Sequence, residues 1–164
     1  KTGEPVSFIL RWNYVVDGEK KKTIRPIHMR EDGQWVMRHI PSPRPLWNLT
    51  DILKSGEDDI IYLCEGEKAA EAGKDLGLIT TTAIGGTNVV KHTDWLPLAG
   101  KNVVILPDND EPGQKFADEV NEHLQWLGCA TAIINLPELI EGEDLFDWIH
   151  AHKGTEQKIK QIME

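Results

Sequence analysis

Residues 60–73 read IIYLCEGEKAAEAG, and the fold turns on how that run is parsed. Ile60, Ile61, Tyr62, Leu63 and Cys64 form a continuous apolar run, the pattern of a strand buried on both faces. Glu65 follows at once, then Gly66 and an Ala-rich segment stopped by Gly77, the pattern of a helix over 67–76. A carboxylate where the chain leaves the core has two readings. It is a solvated loop residue, or it is a group at the carboxyl end of a strand, where open α/β sheets gather their chemistry.

Working outward, the same alternation continues. A strand is expected over 78–84, ending in Gly85-Gly86, then a loop or short helix to Gly100. A strand over 102–106, a helix over 112–127 stopped by Gly128, a strand over 129–135 and two short helices complete the chain. Phe116, Val120, Leu124 and Leu127 recur at one-face helical spacing, so the helix at 112–127 is a packing element. Strands alternating with helices predict an α/β fold with a mostly parallel, Rossmann-like sheet flanked by helices. Upstream the character changes. Phe8–Val16, Thr23–Arg30 and Gln34–Ile40 are short β-type runs separated by Asp17-Gly18 and Asp32-Gly33, which predicts a three-strand meander. The prolines of 41–45 make an extended connection, and Thr50-Asp51 reads as the cap of a short helix. The expected organisation is a small β-rich, basic N-terminal segment over 1–48 and a main domain over 49–164.

Composition agrees with two parts. The 164 residues carry a formal charge of −9. Residues 1–45 hold nine Lys and Arg against five Asp and Glu, while residues 46–164 hold nine against twenty-two, so +4 is followed by −13. The acidic part does not suit binding of nucleic acid by charge alone. If it meets phosphates, something positive must lie between them, and a divalent cation would serve. No run approaches the roughly 18 apolar residues of a membrane span, no secretory signal is visible, and Cys64 and Cys129 suit buried thiols in a reducing cytoplasm. A start at Lys1 without methionine suggests a piece of something longer.

The second informative run is NVVILPDNDEPG at 102–113. Val103–Leu106 is another buried strand, and Asp108 and Asp110 follow its carboxyl end. Alone, such a pair often only satisfies a turn. Together with Glu65, which ends a neighbouring strand, it places three acids on one edge, where they repel unless a cation intervenes. Hard divalent ions take such oxygen ligands. Asp144, in EGEDLFD at 141–147, serves two readings, helix N-cap or further metal contact. Trp12, Trp35 and Trp47 are read as core rather than base-stacking residues, and Trp95, Trp126 and Trp148 as packing.

The stretch from about 58 to 150 resembles the TOPRIM domain, the metal-dependent fold of primases, topoisomerases and some nucleases. Glu65-Gly66, Gly85-Gly86 and Asp108-x-Asp110-x-x-Gly113, each after a strand, carry the resemblance. More narrowly, TDWLPLAG at 93–100 followed by the 102–113 run looks like the primase-type proteins of phages, prophages and plasmids. RPLWNL at 44–49 is similar to the region that precedes TOPRIM in them. The resemblance implies Glu65 as a metal ligand or general acid/base, Asp108 and Asp110 as a Mg²⁺-binding pair, and Asp144 as a further acid. Gly85 and Gly86 would be the bend close to the site. One departure stands out: where bacterial primases often carry a second acid four residues after the first, this chain has Ala69.

Nucleotidyl transfer needs an activated 3′-hydroxyl and a neutralised pyrophosphate, which Mg²⁺ or Mn²⁺ supplies. Basic groups hold triphosphate and template, and the candidates are Lys68, Lys91, Arg25, Arg30, Arg38 and Arg44, the arginines serving solubility equally well. The expected function is primer synthesis on single-stranded DNA from nucleoside triphosphates. The alternatives are a TOPRIM nuclease or a non-catalytic nucleotide- or nucleic-acid-binding module of a larger replication protein. The chain has no G-x-x-x-x-G-K-[ST] and no zinc-ribbon cysteine set, so a helicase or zinc-binding domain would come from flanks or a partner.

Overall fold

The computed structural model describes residues 7–85 and 87–163. The chain divides into two compact units, one up to Ser42 and one from Pro43.

The first unit is an antiparallel meander of β1 (Ser7–Val16), β2 (Glu19–Met29) and β3 (Trp35–Val36). Val16 pairs with Glu19, so Asp17 and Gly18 form a two-residue turn with φ of 54° and 80°. Such a turn follows the right-handed twist of the strands it joins. β3 is only two residues long, against the run of 34–40 expected from sequence. Continuing its register from His28↔Val36 would set Arg38 opposite Pro26, which has no N–H to give. Three strands make a single layer that cannot cover both of its faces. Trp12 and Trp35 accordingly stand 45% and 44% exposed, correcting their assignment to the core. Phe8, Trp12, Tyr14 and Trp35 share one face with Lys21 and Arg25, the partners of Tyr14 and Leu10. Phe8 and Trp35 are in ring contact at 5.2 Å.

The second unit is built on four parallel strands, β4 (Ile60–Cys64), β5 (Ile79–Thr81), β6 (Asn102–Leu106) and β7 (Ala130–Ile133), in the order β5-β4-β6-β7. Around them lie α1 (Leu49–Lys54), α2 (Glu67–Asp75), α3 (Glu111–Trp126), α4 (Leu145–Ala151) and α5 (Glu156–Met163). The continuous apolar runs are explained by this layering. Ile61, Leu63, Val103 and Ile105 point to one side and pack with Phe116, Ala117, Val120 and Leu124 of α3. Tyr62, Cys64, Val104 and Leu106 point to the other and pack with Ala69 and Ala70 of α2 and with Leu145 and Trp148 of α4. Period-two alternation thus feeds two cores from each strand.

Several expectations change in detail. Strands 78–84 and 129–135 contract to Ile79–Thr81 and Ala130–Ile133. The cap of α1 is Asn48, at a left-handed φ of 52°, and Thr50 and Asp51 fall in its first turn. Trp126 is 88% exposed, because it lies two residues beyond Leu124 and so off the buried stripe of α3. The segment from 43 to 48 packs on the second unit: Arg44 bridges to Thr93, Leu46 to Ala83, and the Trp47 N–H donates to the Thr82 carbonyl at 3.0 Å. Among the described residues no helix is long and apolar enough to cross a membrane.

Strand order now locates the chemistry. The chain steps from β4 to β5 on one side, then to β6 on the other, so the connections diverge between β4 and β6. In open α/β sheets such a divergence marks where a ligand crevice lies, at the carboxyl ends of these two strands.

Candidate functional site

β4 and β6 end level with each other, since Cys64 is the register partner of Leu106. Glu65 and the Pro107-Asp108 pair therefore leave adjacent strands at the mouth of the same crevice. Glu65 is half-buried, and its Oε2 is buried with no hydrogen-bond partner among the described residues. Burial, then the charge of Asp110, raises its pKa above the ordinary carboxylate value. Asp108 is the electrostatic centre. Burial, then Glu65, Asp144, Asp110 and Asp147, pushes its carboxyl up to about 7. Four acids thus act on Asp108, from the end of β4, from its own connection and from the start of α4.

The backbone around Asp108 is fixed by its own neighbours. The Asp110 N–H donates to the Asp108 carbonyl at 2.9 Å, and Asp110 caps α3 by accepting from the Gly113 N–H at Oδ1, 2.7 Å away. The cap leaves Oδ2 as the oxygen that Asp110 can offer a ligand. Gly113 is needed for closeness, not for a special φ: a Cβ there would lie 2.4 Å from the Asp108 carbonyl oxygen. Asn109 points the other way. Its N–H donates to the Glu143 carbonyl at 2.8 Å, its Nδ2 to the Leu139 carbonyl at 2.8 Å, and its carbonyl accepts from the Gly142 N–H at 3.0 Å. The third acidic connection is thereby tied to the second, and His152 holds it further through Glu143, Nε2 to Oε2 at 2.8 Å. On the other flank, the Thr82 hydroxyl donates to the Glu65 carbonyl at 3.0 Å. Thr82, Asn109 and His152 are site-building residues that sequence reasoning passed over. The threonine run 80–82 on a buried strand was the one visible signal.

Of its two expected roles, Asp144 takes up the helix N-cap. It is the N-cap of α4 and forms a capping box with Asp147: Oδ1 of Asp144 accepts from the Asp147 N–H at 3.0 Å, and Oδ2 of Asp147 from the Asp144 N–H at 3.3 Å. Lys68 reaches the remaining oxygens, with Nζ 3.7 Å from Asp144 Oδ2 and 3.8 Å from Asp147 Oδ1.

The other basic residues are more scattered. Gly85, at φ 111°, leaves room for Arg44: a Cβ would come 2.9 Å from its Nη1, which donates to the Ile84 carbonyl at 3.4 Å. Gly86 lies outside the described residues. Lys91 is exposed in the 3₁₀ turn Thr87–His92. Arg25, Arg30 and Arg38 belong to the first unit, where Arg25 donates to the Ile24 carbonyl and Arg30 pairs with Asp32 at 3.2 Å.

The donor set fits a hard divalent cation. It is all carboxylate oxygen, and one oxygen, Oε2 of Glu65, is buried without a partner among the described residues. Among the described residues, no three His, Cys, Asp or Glu side chains are gathered closely enough to ligate one ion as they stand. A Mg²⁺-type ion needs only one or two protein carboxylates, water and phosphate completing its shell.

Comparison with known proteins agrees with this geometry. The family model described as Toprim-like matches residues 62–149. The Gene 57 protein of Mycobacterium phage D29 is 32% identical over 116 residues, 70% of each chain. Among solved structures, the Aquifex aeolicus primase (zinc-binding and RNA polymerase domains) superposes with a TM-score of 0.57 at 18% identity, over 85% of this chain and 36% of that one. A DNA primase domain from Pseudomonas aeruginosa superposes with a TM-score of 0.53 at 16% identity, over 94% of this chain and 55% of that one. The chain thus spans about a third and just over half of these two primase chains, and it shares their fold. TOPRIM domains generally bind divalent metals. By its sequence match over residues 62–149, this chain belongs to the Toprim-like family.

Proposed function

We propose that this chain carries out metal-dependent nucleotidyl transfer, making primers on single-stranded DNA from nucleoside triphosphates as the catalytic part of a phage- or plasmid-type primase. The observation that carries the reading is the unpartnered, buried Oε2 of Glu65 beside Asp108, at the crevice between β4 and β6. Glu65, Asp108 and the free oxygen of Asp110 would hold Mg²⁺ or Mn²⁺, and a bound ion supplies charge neutralisation and polarisation of a phosphoryl oxygen. Where it is not itself a ligand, Glu65 is proposed as the proton acceptor for a 3′-hydroxyl.

Template binding is assigned to the first unit. Its sheet presents Phe8, Trp12, Tyr14 and Trp35 on one face with Lys21 and Arg25, and aromatic platforms interleaved with cations suit unpaired bases and their phosphates. Arg30 and Arg38 add charge to the same unit, Arg44 and Lys91 to the second. A zinc-binding domain or helicase is proposed to act from outside this chain. Trp12→Ala is expected to weaken binding of a short oligo-dT, without metal, by about 5- to 100-fold. Fluorescence anisotropy reads this directly, and unchanged affinity would remove the aromatic face from the proposal.

The activity is tested by incubating the protein with single-stranded DNA, labelled nucleoside triphosphates and Mn²⁺. Short labelled products are expected, reduced at least about 100-fold by Glu65→Gln. Shortening of the DNA instead would show a nuclease. No turnover of either kind, in this chain alone and with a zinc-binding domain or helicase added, would leave a binding module.

A further inference from the structure

The capping box of α4 holds more than a helix end. Each of its two carboxylates gives one oxygen to a backbone N–H and turns the other toward the same ammonium, Nζ of Lys68. That ammonium also lies 3.7 Å from the centroid of the Phe146 ring, which is itself stacked on His150 at 4.0 Å. Lys68 therefore has three partners from a single turn, Asp144, Phe146 and Asp147, and all four carboxylate oxygens of the pair are engaged. The next residue, Ala69, is 2% exposed and packed in the core of α2 and α4, so that position brings no acid to the crevice. Glu65 stands in contrast, with an oxygen that has no partner among the described residues.

Resting on the metal-dependent reading above, we infer that the crevice takes one divalent cation, on the Glu65–Asp108 side, and that the Lys68 ammonium stands where a second cation would otherwise neutralise Asp144 and Asp147. The charge logic is direct. Asp144 and Asp147 already share one ammonium, at 3.7 and 3.8 Å, so their flank of the acidic edge is compensated from within the chain. A monovalent ammonium on a flexible stem supplies that compensation without demanding octahedral geometry. It also carries no open coordination position, so any phosphoryl oxygen is polarised at the Glu65–Asp108 flank alone. Asp144 then acts as a positioning residue for Lys68 and α4, not as a metal ligand.

Counting bound Mn²⁺ by the electron paramagnetic resonance signal of the free ion tests this on the intact chain. One ion is expected in the wild type, one in Lys68→Arg and none in Glu65→Gln. Lys68→Met, which keeps the stem over Phe146 and removes the charge, is expected to take two. Circular dichroism checks that each variant stays folded. Two ions in the wild type, or one in a folded Lys68→Met, would overturn the inference while leaving the metal-dependent function standing. No ion in the wild type would remove that function's metal and this inference with it.

Discussion

Asp108→Asn should make the metal-free protein more stable at pH 8 and weaken its Mn²⁺ binding by about 100-fold or more. Both effects come from one cause. In the unfolded chain this carboxyl ionises near 3.8, whereas in the folded protein burial and four neighbouring acids hold its proton up to about pH 7. From about pH 4 to pH 7 the folded state therefore binds more protons than the unfolded one. Stability contributed by this group falls as pH rises through that window and is fully lost above it. A displacement from 3.8 to about 7 corresponds to at most about 4 kcal/mol. Asp108 is only half-buried, so solvent screening reduces this, and about 1–2 kcal/mol is expected. For a chain of this size that is a rise in melting temperature of about 3–8 °C in the variant at pH 8. At pH 4, where the native carboxyl is already protonated, the difference should vanish. Adding Mn²⁺ at pH 8 should stabilise the wild type and not the variant, because a ligand stabilises only the state that binds it. Thermal melts at the two pH values, with and without Mn²⁺, check all of this. A variant less stable than the metal-free wild type at pH 8 would mean that the carboxylate is satisfied rather than strained.

The same cluster shows what a sequence discloses and what it hides. Two apolar runs ending in acids were enough to place Glu65 and Asp108 on one sheet edge, because hydrophobic periodicity and strand-terminal charge are local signals. That these strands are adjacent, with Cys64 level with Leu106, is a matter of strand order, which the alternation of elements restricts but does not write out. Lys68 read as a phosphate ligand at a helix start. Its engagement with Asp144 and Asp147 depends on where α4 lands, some eighty residues later in the chain. The tryptophans failed for a different reason. Burial of Trp12 and Trp35 was inferred from residue type, but one three-stranded layer has no second layer to bury them. For Trp126 the helical period itself argues exposure, since a residue two positions past Leu124 faces away from the core. Ser42, where the two units divide, sits inside a proline-rich connection that was readable as a linker. The pull of Arg44, Leu46 and Trp47 onto the second unit comes from backbone pairing that no side-chain pattern announces.

Gly113→Ala is expected to cost about 2–4 kcal/mol and to weaken Mn²⁺ binding at least tenfold, although at most helical positions this exchange stabilises. Gly113 lies inside α3, and its backbone asks for nothing that alanine cannot adopt. Propensity alone therefore predicts a gain of up to about 1 kcal/mol. Space decides otherwise. The added Cβ would lie 2.4 Å from the Asp108 carbonyl oxygen and 3.0 Å from that residue's carbonyl carbon and nitrogen. These are backbone atoms and cannot swing aside as the end of a long side chain can, so overpacking is relieved only by moving α3 or Asp108. Either movement stretches the bond from the Gly113 N–H to Asp110 Oδ1 and the bond from the Asp110 N–H to the Asp108 carbonyl. It also disturbs the anchoring of Asn109 to the 139–143 connection. The acid pair and its cap would shift together, which is why stability and metal affinity should fall together. Gly66→Ala is the matched control. It sits at the N-cap of α2, next to Glu65, with nothing within 4 Å of its added Cβ. It should leave the melting temperature within about 2 °C of the wild type. Denaturant unfolding and Mn²⁺ titration of the two variants separate steric contact with Asp108 from a general effect of replacing glycine near the acids. Equal behaviour of Gly113→Ala and the wild type would show that α3 is free to retreat, and that the Asp108–Asp110 geometry does not depend on its close approach.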